Sequence, residues 1–375
     1  MRRRLLPWAA GALLLYLLAL RTLRQPPAPA QAPGARFWKA PCPLRPLWSQ
    51  DLLERQQRVR RSPSRDRAPG CGPDRRVESR VADFQQLPQA VKDFLLYRRC
   101  RRFPRLLEPR GVCGRGLRLL IAVKSTASSF GRRQAIRQSW GGVGRAAGVG
   151  LVFLLGVEEA ADGRPDLAGL LACESRRFGD LLQWAFRDTF LNLTLKEVLF
   201  LPWLGRHCPG ARFVFKGDDD VFVNTERLLD YLDGPEADPA LGRSPDLFLG
   251  DTILGAQPCR NPGLKYYVPG AFYSGPYPPY AGGAGVLYTG RLARRLERAA
   301  RALPLFPIDD VFTGMCLQRL GLAPTAHAGF HSFGINESQR WEPCAYRRLF
   351  MVHARSPQEL ILLWRVLHGG NLTCG

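Results

Sequence analysis

Arg212-Phe213-Val214-Phe215-Lys216-Gly217-Asp218-Asp219-Asp220-Val221-Phe222-Val223-Asn224 is the stretch on which the reading of this chain turns. An apolar, β-prone run that ends in carboxylates reads as a buried strand delivering acids to its exposed C-terminal end. Adjacent carboxylates repel one another, and a strand end tolerates them when a cation or hydrogen-bond donors neutralise them. A divalent metal gripping a diphosphate suits such a place. Taken alone, an acidic turn explains the triplet equally well.

Outward from the aspartates, apolar runs and helical spacing alternate. Leu117 to Val123 reads as a strand, Phe130 to Trp140 as a basic helix, Leu151 to Leu155 as a buried strand and Leu167 to Phe178 as a helix. Leu181 to Phe186 reads as a strand, and Asn192 to Leu204 as the helix before the aspartate strand. This alternation predicts an α/β fold on a mainly parallel sheet flanked by helices. Ligands on such sheets bind at the carboxyl ends of the strands, where the aspartates fall. Downstream, Leu247 to Asp251 reads as a strand, and Gly290 to Leu303 and Val311 to Leu320 as helices. Ser356-Pro357 supplies a cap and first-turn proline for a last helix to Leu367.

Three further stretches carry candidate chemistry. Ile308-Asp309-Asp310-Val311 places two acids where a helix begins. Helix capping explains them in isolation. Beside a separate aspartate cluster they also suit a general base, which must stand at the acceptor hydroxyl with the metal at the far end of the reacting bond. Tyr277-Pro278-Pro279-Tyr280-Ala281-Gly282-Gly283-Ala284-Gly285 is an aromatic and glycine-rich loop that permits a turn or close approach to a ligand. Ala122-Val123-Lys124-Ser125 followed by Arg132 to Gly141 gives strand, polar loop and basic helix, a setting for nucleotide phosphates or simply a basic solvent-facing helix.

The 375 residues carry a formal net charge of +22, and 46% are hydrophobic. The arginines spread along the whole chain without zinc-finger spacing, an RNA-binding signature or basic heptads, so nucleic acid is not the expected partner. Residues 1–4, Met1-Arg2-Arg3-Arg4, read as a cytoplasmic tail, and the apolar residues 5–20 as a transmembrane signal anchor with the body in the lumen. A cleaved signal peptide is the rival, because Ala28 to Ala32 offers small-residue sites. Residues 21–76 read as a Pro-, Ala- and Arg-rich stem with a short helix around Leu52, and 77–375 as the folded lumenal domain. Arg58-Val59-Arg60-Arg61-Ser62 in the stem resembles a site for a furin-like protease.

Ten cysteines without CxxC pairs point to disulfides. Cys100 and Cys113 are placed to close a small loop, and Cys316 and Cys344 to bridge the C-terminal region. Asn192, Asn336 and Asn371 each begin a glycosylation sequon.

Arg133-Gln134-Ala135-Ile136-Arg137-Gln138-Ser139-Trp140, Phe153-Leu154-Leu155-Gly156, Lys216 to Phe222, Tyr277 to Gly283 and Ile308 to Val311 resemble, in order, the motifs of β-1,3-glycosyltransferases. Asp93-Phe94-Leu95-Leu96-Tyr97, Leu264 to Pro269 and Thr313 to Gln318 look closer still to N-acetyllactosaminide β-1,3-N-acetylglucosaminyltransferases. The resemblance covers about Phe37 to the C-terminus. It implies a Golgi type II membrane enzyme with a GT-A fold that takes UDP-GlcNAc as donor and a galactose-terminated glycan on glycoprotein or glycolipid as acceptor. It also implies association with itself or with other glycosyltransferases.

By that resemblance Asp220 and Asp218 hold Mn²⁺ or Mg²⁺, with His331 as the nearest further ligand. Lys124, Arg133, Asp218 and Asp219 contact the donor. Asp310 is the catalytic base, and Asp309, Tyr266, Gly282 and Gly283 place the acceptor galactose. Ala284 departs from the glycine of close relatives and adds a methyl near the expected sugar site. The alternatives are a β-1,3-galactosyltransferase using UDP-Gal and a pseudoenzyme that binds glycans or a partner without catalysis.

Overall fold

The structure is a computed structural model that describes residues 72–370 and 372–374, apart from 82, 145–146, 160–164 and 235–244. The expected tail, anchor and stem before residue 72, with its protease-like site, and Asn371 lie outside the described residues. Among the described residues no helix is long and apolar enough to cross a membrane.

Strands β1 (Arg105–Leu107), β2 (Leu119–Lys124), β3 (Val149–Val157), β4 (Leu181–Arg187) and β5 (Phe213–Asp218) precede the acidic turn. After it come β6 (Phe222–Val223), β7 (Phe248–Gly250), β8 (Thr252–Ile253), β9 (Tyr280–Ala281) and β10 (Gly285–Thr289). The last three are β11 (Thr325–Ala326), β12 (Phe330–His331) and β13 (Met351–Val352). Among the described residues eight of these form one sheet in the order β1-β4-β3-β2-β5-β10-β7-β11. Its centre, β4-β3-β2-β5, is parallel, and β10 runs antiparallel to both β5 and β7. The fold is mixed α/β on a mostly parallel sheet.

Buried parallel strands need apolar side chains on both faces. Leu119 through Val123 are fully buried, as are Val214 and Phe215. The chain moves outward from β2 to β3 and β4 through the helices Phe130–Arg137 and Leu167–Phe178, then returns through Leu193–His207 to place β5 on the other side of β2. The strand order therefore reverses between β2 and β5, the crevice where such sheets bind ligands. Register puts Lys124 opposite Asp218 there.

Local signals set the helix ends. Asp166 accepts from the Ala168 N–H at the start of Leu167–Phe178, and Gly179, at φ 67°, ends it. Ser356 and Glu359 form a capping box on the helix Pro357–His368. The basic helix expected to reach Trp140 stops at Arg137, and Trp140–Val143 continues as a 3-10 turn. A Cβ on Gly142 would stand 2.6 Å from the Arg137 carbonyl oxygen, an approach that only glycine permits.

Both expected disulfides are corrected. Cys113 pairs with Cys208 and Cys344 with Cys374. Cys100 is disulfide-bonded, but not to Cys113, and Cys316 is a buried free thiol. Sequence separation does not measure distance in space: Cys208 ends a helix that returns beneath the sheet to the segment preceding β2.

Candidate active site

Asp218 is the last residue of β5, and Asp219 and Asp220 form the turn beyond it. Ligand atoms of Asp218, Asp220 and His353 all lie within 4.8 Å of one another. His353 is delivered by β13, which pairs with β6 just after the aspartates. Its Nδ1 stands 2.9 Å from the Ser332 carbonyl oxygen. That oxygen can only accept, so Nδ1 carries the hydrogen and Nε2 is left facing Asp220 Oδ1 at 3.3 Å. A metal-binding imidazole is commonly oriented in this way by a carbonyl behind it. Two carboxylates and one imidazole suit a divalent ion such as Mn²⁺.

His331, the histidine expected at this place, is not part of the cluster. It lies in β12, paired with Val352. The signal missed was Met351-Val352-His353, an apolar pair followed by histidine, because a strand of two residues leaves no period to read.

Charge within the cluster is self-consistent. Burial acts to raise the Asp220 carboxyl, but when His353 carries a proton on Nε2 as well as Nδ1 its hydrogen bond and charge, with Arg132, outweigh burial and hold the group below its ordinary value. The hydrogen bond to Asp220 raises the His353 imidazole against burial. Asp219 is pushed up by burial, and it points away from the trio to Ser125 Oγ at 2.7 Å and Arg132 at 3.3 Å.

The second acid pair opens the helix Asp309–Arg319. Lys124 Nζ lies 2.9 Å from Asp218 Oδ1 and 2.9 Å from Asp309 Oδ2, so one buried ammonium joins the two acidic ends. Asp309 is 5% exposed. Burial acts to raise its carboxyl, but Lys124 and Lys216 prevail and lower it. Bound in this way, Asp309 does not face an acceptor as the resemblance implied.

Asp310 does face the cleft. Its Oδ2 accepts from the Gly283 N–H at 2.9 Å. Burial, with the neighbouring Asp309 charge, pushes its carboxyl up to about 7, the range of an effective base at neutral pH. A Cβ on Gly283 would fall 1.9 Å from Asp310 Oδ1, and one on Gly282 would fall 2.6 Å from Ser332 Oγ, so both glycines are required by close approach. Tyr280, whose hydroxyl is raised by burial and then by Asp310 and Tyr266, adds an aromatic wall. Tyr266 is exposed, with its ring edge-on to Phe190 at 5.1 Å and Lys265 over it. Ala284 is 5% exposed, so its methyl is packed away from an open sugar site.

Arg133, expected to touch the donor, is fully buried. All five of its N–H donors are used: two on Glu174, the others on Ser125 Oγ, the Thr126 carbonyl and the Ala127 carbonyl. It has none left for a nucleotide. It fixes the 125–127 turn instead, together with Lys196, which donates to the Ser125 carbonyl at 2.6 Å. Charge on a helix shows up in sequence, whereas the face it occupies depends on Glu174 from the next helix. Of the sequons, Asn336 is exposed, while Asn192 is half-buried and donates to the Arg187 carbonyl at 2.9 Å.

Residues 131–328 match the galactosyltransferase family. The chain is 46% identical over 361 residues to the mouse (Mus musculus) N-acetyllactosaminide beta-1,3-N-acetylglucosaminyltransferase 2, covering 91% of this chain and 89% of that one. It is 46% identical to the Rattus norvegicus UDP-GlcNAc:betaGal beta-1,3-N-acetylglucosaminyltransferase 7, over 78% of this chain and 74% of the relative. To the human (Homo sapiens) acetylgalactosaminyl-O-glycosyl-glycoprotein beta-1,3-N-acetylglucosaminyltransferase it is 47% identical, over 78% of each. Matched over more than half its length, and nearly half identical to relatives that align almost end to end, the chain belongs to the galactosyltransferase family.

Proposed function

We propose that this chain is an inverting β-1,3-N-acetylglucosaminyltransferase of GT-A type, moving N-acetylglucosamine from UDP-N-acetylglucosamine to the 3-hydroxyl of a terminal β-galactose. The observation that carries this is the pairing of two acidic ends across one crevice: Asp218, Asp220 and His353 on one side, Asp310 on the other, with Lys124 between. Relatives sharing nearly half of the residues carry this transferred sugar and linkage in their names, and one of them names UDP-GlcNAc as the donor.

In this reading Asp218, Asp220 and His353 would hold Mn²⁺ or Mg²⁺, which would supply positive charge for the diphosphate leaving group. Asp310 accepts the proton of the acceptor hydroxyl as that oxygen bonds to the anomeric carbon. The bond from that carbon to the diphosphate breaks on the opposite face, and UDP carries away the electron pair. One displacement turns an α-linked donor into a β-linked product without a covalent enzyme intermediate. Tyr266 and the Gly282-Gly283 turn border the acceptor. Lys124 and Arg133 act through the groups they hold. Residues 5–20 anchor the chain in the Golgi membrane as a type II protein, 21–76 form the stem, and 77–375 act in the lumen.

The test is a transfer assay offering UDP-N-acetylglucosamine and UDP-galactose separately to N-acetyllactosamine, to core O-glycan galactose and to N-acetylglucosamine. A β-1,3-linked N-acetylglucosamine on galactose, lost with chelator and regained with Mn²⁺, is the expected result. Transfer of galactose would replace the donor and leave the mechanism. Binding of UDP without transfer from either donor would refute the catalytic reading.

A further inference from the structure

The turn His331–Gly334 joins the two ends of the cleft. His331 is held in the small sheet by β13. Ser332 is fixed on three sides. Its N–H donates to Asp251 Oδ2 at 3.0 Å, its carbonyl accepts from His353 Nδ1 at 2.9 Å, and its side chain lies against the Gly282 backbone, 2.6 Å from where a Cβ would stand. Gly334, at φ 82°, closes the turn with its N–H 3.2 Å from the His331 carbonyl oxygen. Phe333 is thus the outward corner of a turn whose other members are pinned. It is 81% exposed, the most exposed large apolar side chain among the described residues.

A single exposed apolar residue is ordinary on a protein surface. This one differs in its attachment. The residue before it touches both His353, of the metal-binding trio, and Gly282, beside the glycine that seats Asp310. Its backbone is preorganised, so binding against the ring sacrifices little further conformational freedom. The donor sugar must lie deep, between the diphosphate site and Asp310. An exposed ring on the residue next to Ser332, whose side chain meets Gly282, is instead within reach of what extends out of the cleft, the part of the acceptor behind the attacked galactose. Flat aromatic rings provide large apolar contact area at such ligand edges.

We propose that Phe333 is a stacking platform for the acceptor glycan, packing against the apolar face of the sugar that precedes the terminal galactose. This rests on the galactoside-acceptor reading above and assigns a residue that sets preference among acceptors by their second sugar.

The test uses the full chain in detergent, with Phe333→Ala, Phe333→Trp and, as a control at another exposed apolar side chain, on the helix Pro357–His368, Leu362→Ala. The acceptors are methyl β-galactoside and N-acetyllactosamine. Phe333→Ala is expected to raise the KM for N-acetyllactosamine relative to that for methyl β-galactoside by about tenfold, the worth of one well-placed aromatic contact. Phe333→Trp restores the preference, and Leu362→Ala leaves it unchanged. A loss equal for both acceptors, a shift in donor KM instead, or no change would overturn the platform.

Saturation-transfer NMR with Mg²⁺ and UDP reads binding without turnover: the N-acetylglucosamine ring protons of the disaccharide receive saturation from the wild type and lose it in Phe333→Ala. If the wild type transfers no sugar but this contrast holds, the catalytic reading falls and the platform stands. If the wild type transfers sugar and Phe333→Ala matches it in both measurements, the platform falls and the catalytic reading stands. A wild type that binds no galactoside overturns both.

Discussion

Replacing Gly283 by alanine separates catalysis from folding more cleanly than removing any acid. The new methyl would stand 1.9 Å from Asp310 Oδ1, 2.5 Å from Cγ and 2.6 Å from Oδ2. Non-bonded atoms prefer about 3.5 Å, so the carboxylate must withdraw by roughly 1.5 Å. Asp310 is half-buried at the cleft, and its carboxyl is the far end of a flexible side chain that can swing toward water. The fold loses the Gly283 hydrogen bond, worth about 1–3 kcal/mol, and regains part of that because burial and Asp309 disfavour the charged carboxylate where it stands. The melting temperature should fall by only a few degrees. Catalysis has no such relief, because a displaced base forfeits about 10²–10⁴ in rate. The assay pairs kcat for N-acetylglucosamine transfer with calorimetric UDP binding in Mg²⁺, and UDP binding should be unchanged. The double variant Gly283→Ala, Asp310→Asn should be no slower than Asp310→Asn alone, since the methyl then has no base left to displace. A single variant retaining turnover within about tenfold of wild type would refute the placement of the base.

Asp310 also fixes two pH dependences. As a base it must be ionised, so kcat/KM should rise with pH through about 7, and a flat profile across that range would count against it. For stability the sign is opposite: its folded value lies above an unfolded value of about 3.9, so its favourable contribution is complete below about pH 4 and lost as pH rises through 7. In chelator, Asp310→Asn should therefore melt higher than wild type at about pH 8 and show no such advantage at about pH 4. His353→Ala should weaken Mn²⁺ binding to the UDP complex by at least about tenfold in a calorimetric titration, and equal affinity would remove it from the metal set. Arg133→Met leaves Glu174 short of a buried partner, a loss of about 3–5 kcal/mol for a broken buried pair. The lower end is expected because Arg137 still holds Glu174 at 2.8 Å. Denaturant melts read that loss, whereas a change confined to donor KM would return Arg133 to the nucleotide.

Runs long enough to show a period were legible in the sequence. The helix Leu167–Phe178 has the bounds its spacing gives, because Asp166 and Gly179 act on their own neighbours. The acids at Asp218–Asp220 and Asp309-Asp310 fall at a strand end and a helix start because apolar runs place them there. What pairing across the chain decides was not legible. His353 enters through a two-residue strand, Cys113 finds Cys208 through the return of a helix, and Arg133 is drawn inward by Glu174. In each case the residue type was visible, and its partner was set by packing between elements far apart in the chain.

Lys124 shows why the two acid pairs have to be read together. It ends β2 opposite Asp218 at the point where the strand order reverses. An ammonium buried there must be compensated, and it takes one carboxylate from each end of the site. Those carboxylates raise it well above its ordinary value against the opposing effect of burial. Held ionised by Lys124, Asp309 places a fixed negative charge beside Asp310, and that charge adds to burial in raising Asp310. A lone solvated carboxylate near 4 would be a weak base at neutral pH. The second acid is thus more than a helix cap or an acceptor contact. Its charge adds to burial, the larger cause, in making its neighbour more basic, and it stays charged because a lysine from the far side of the crevice holds it.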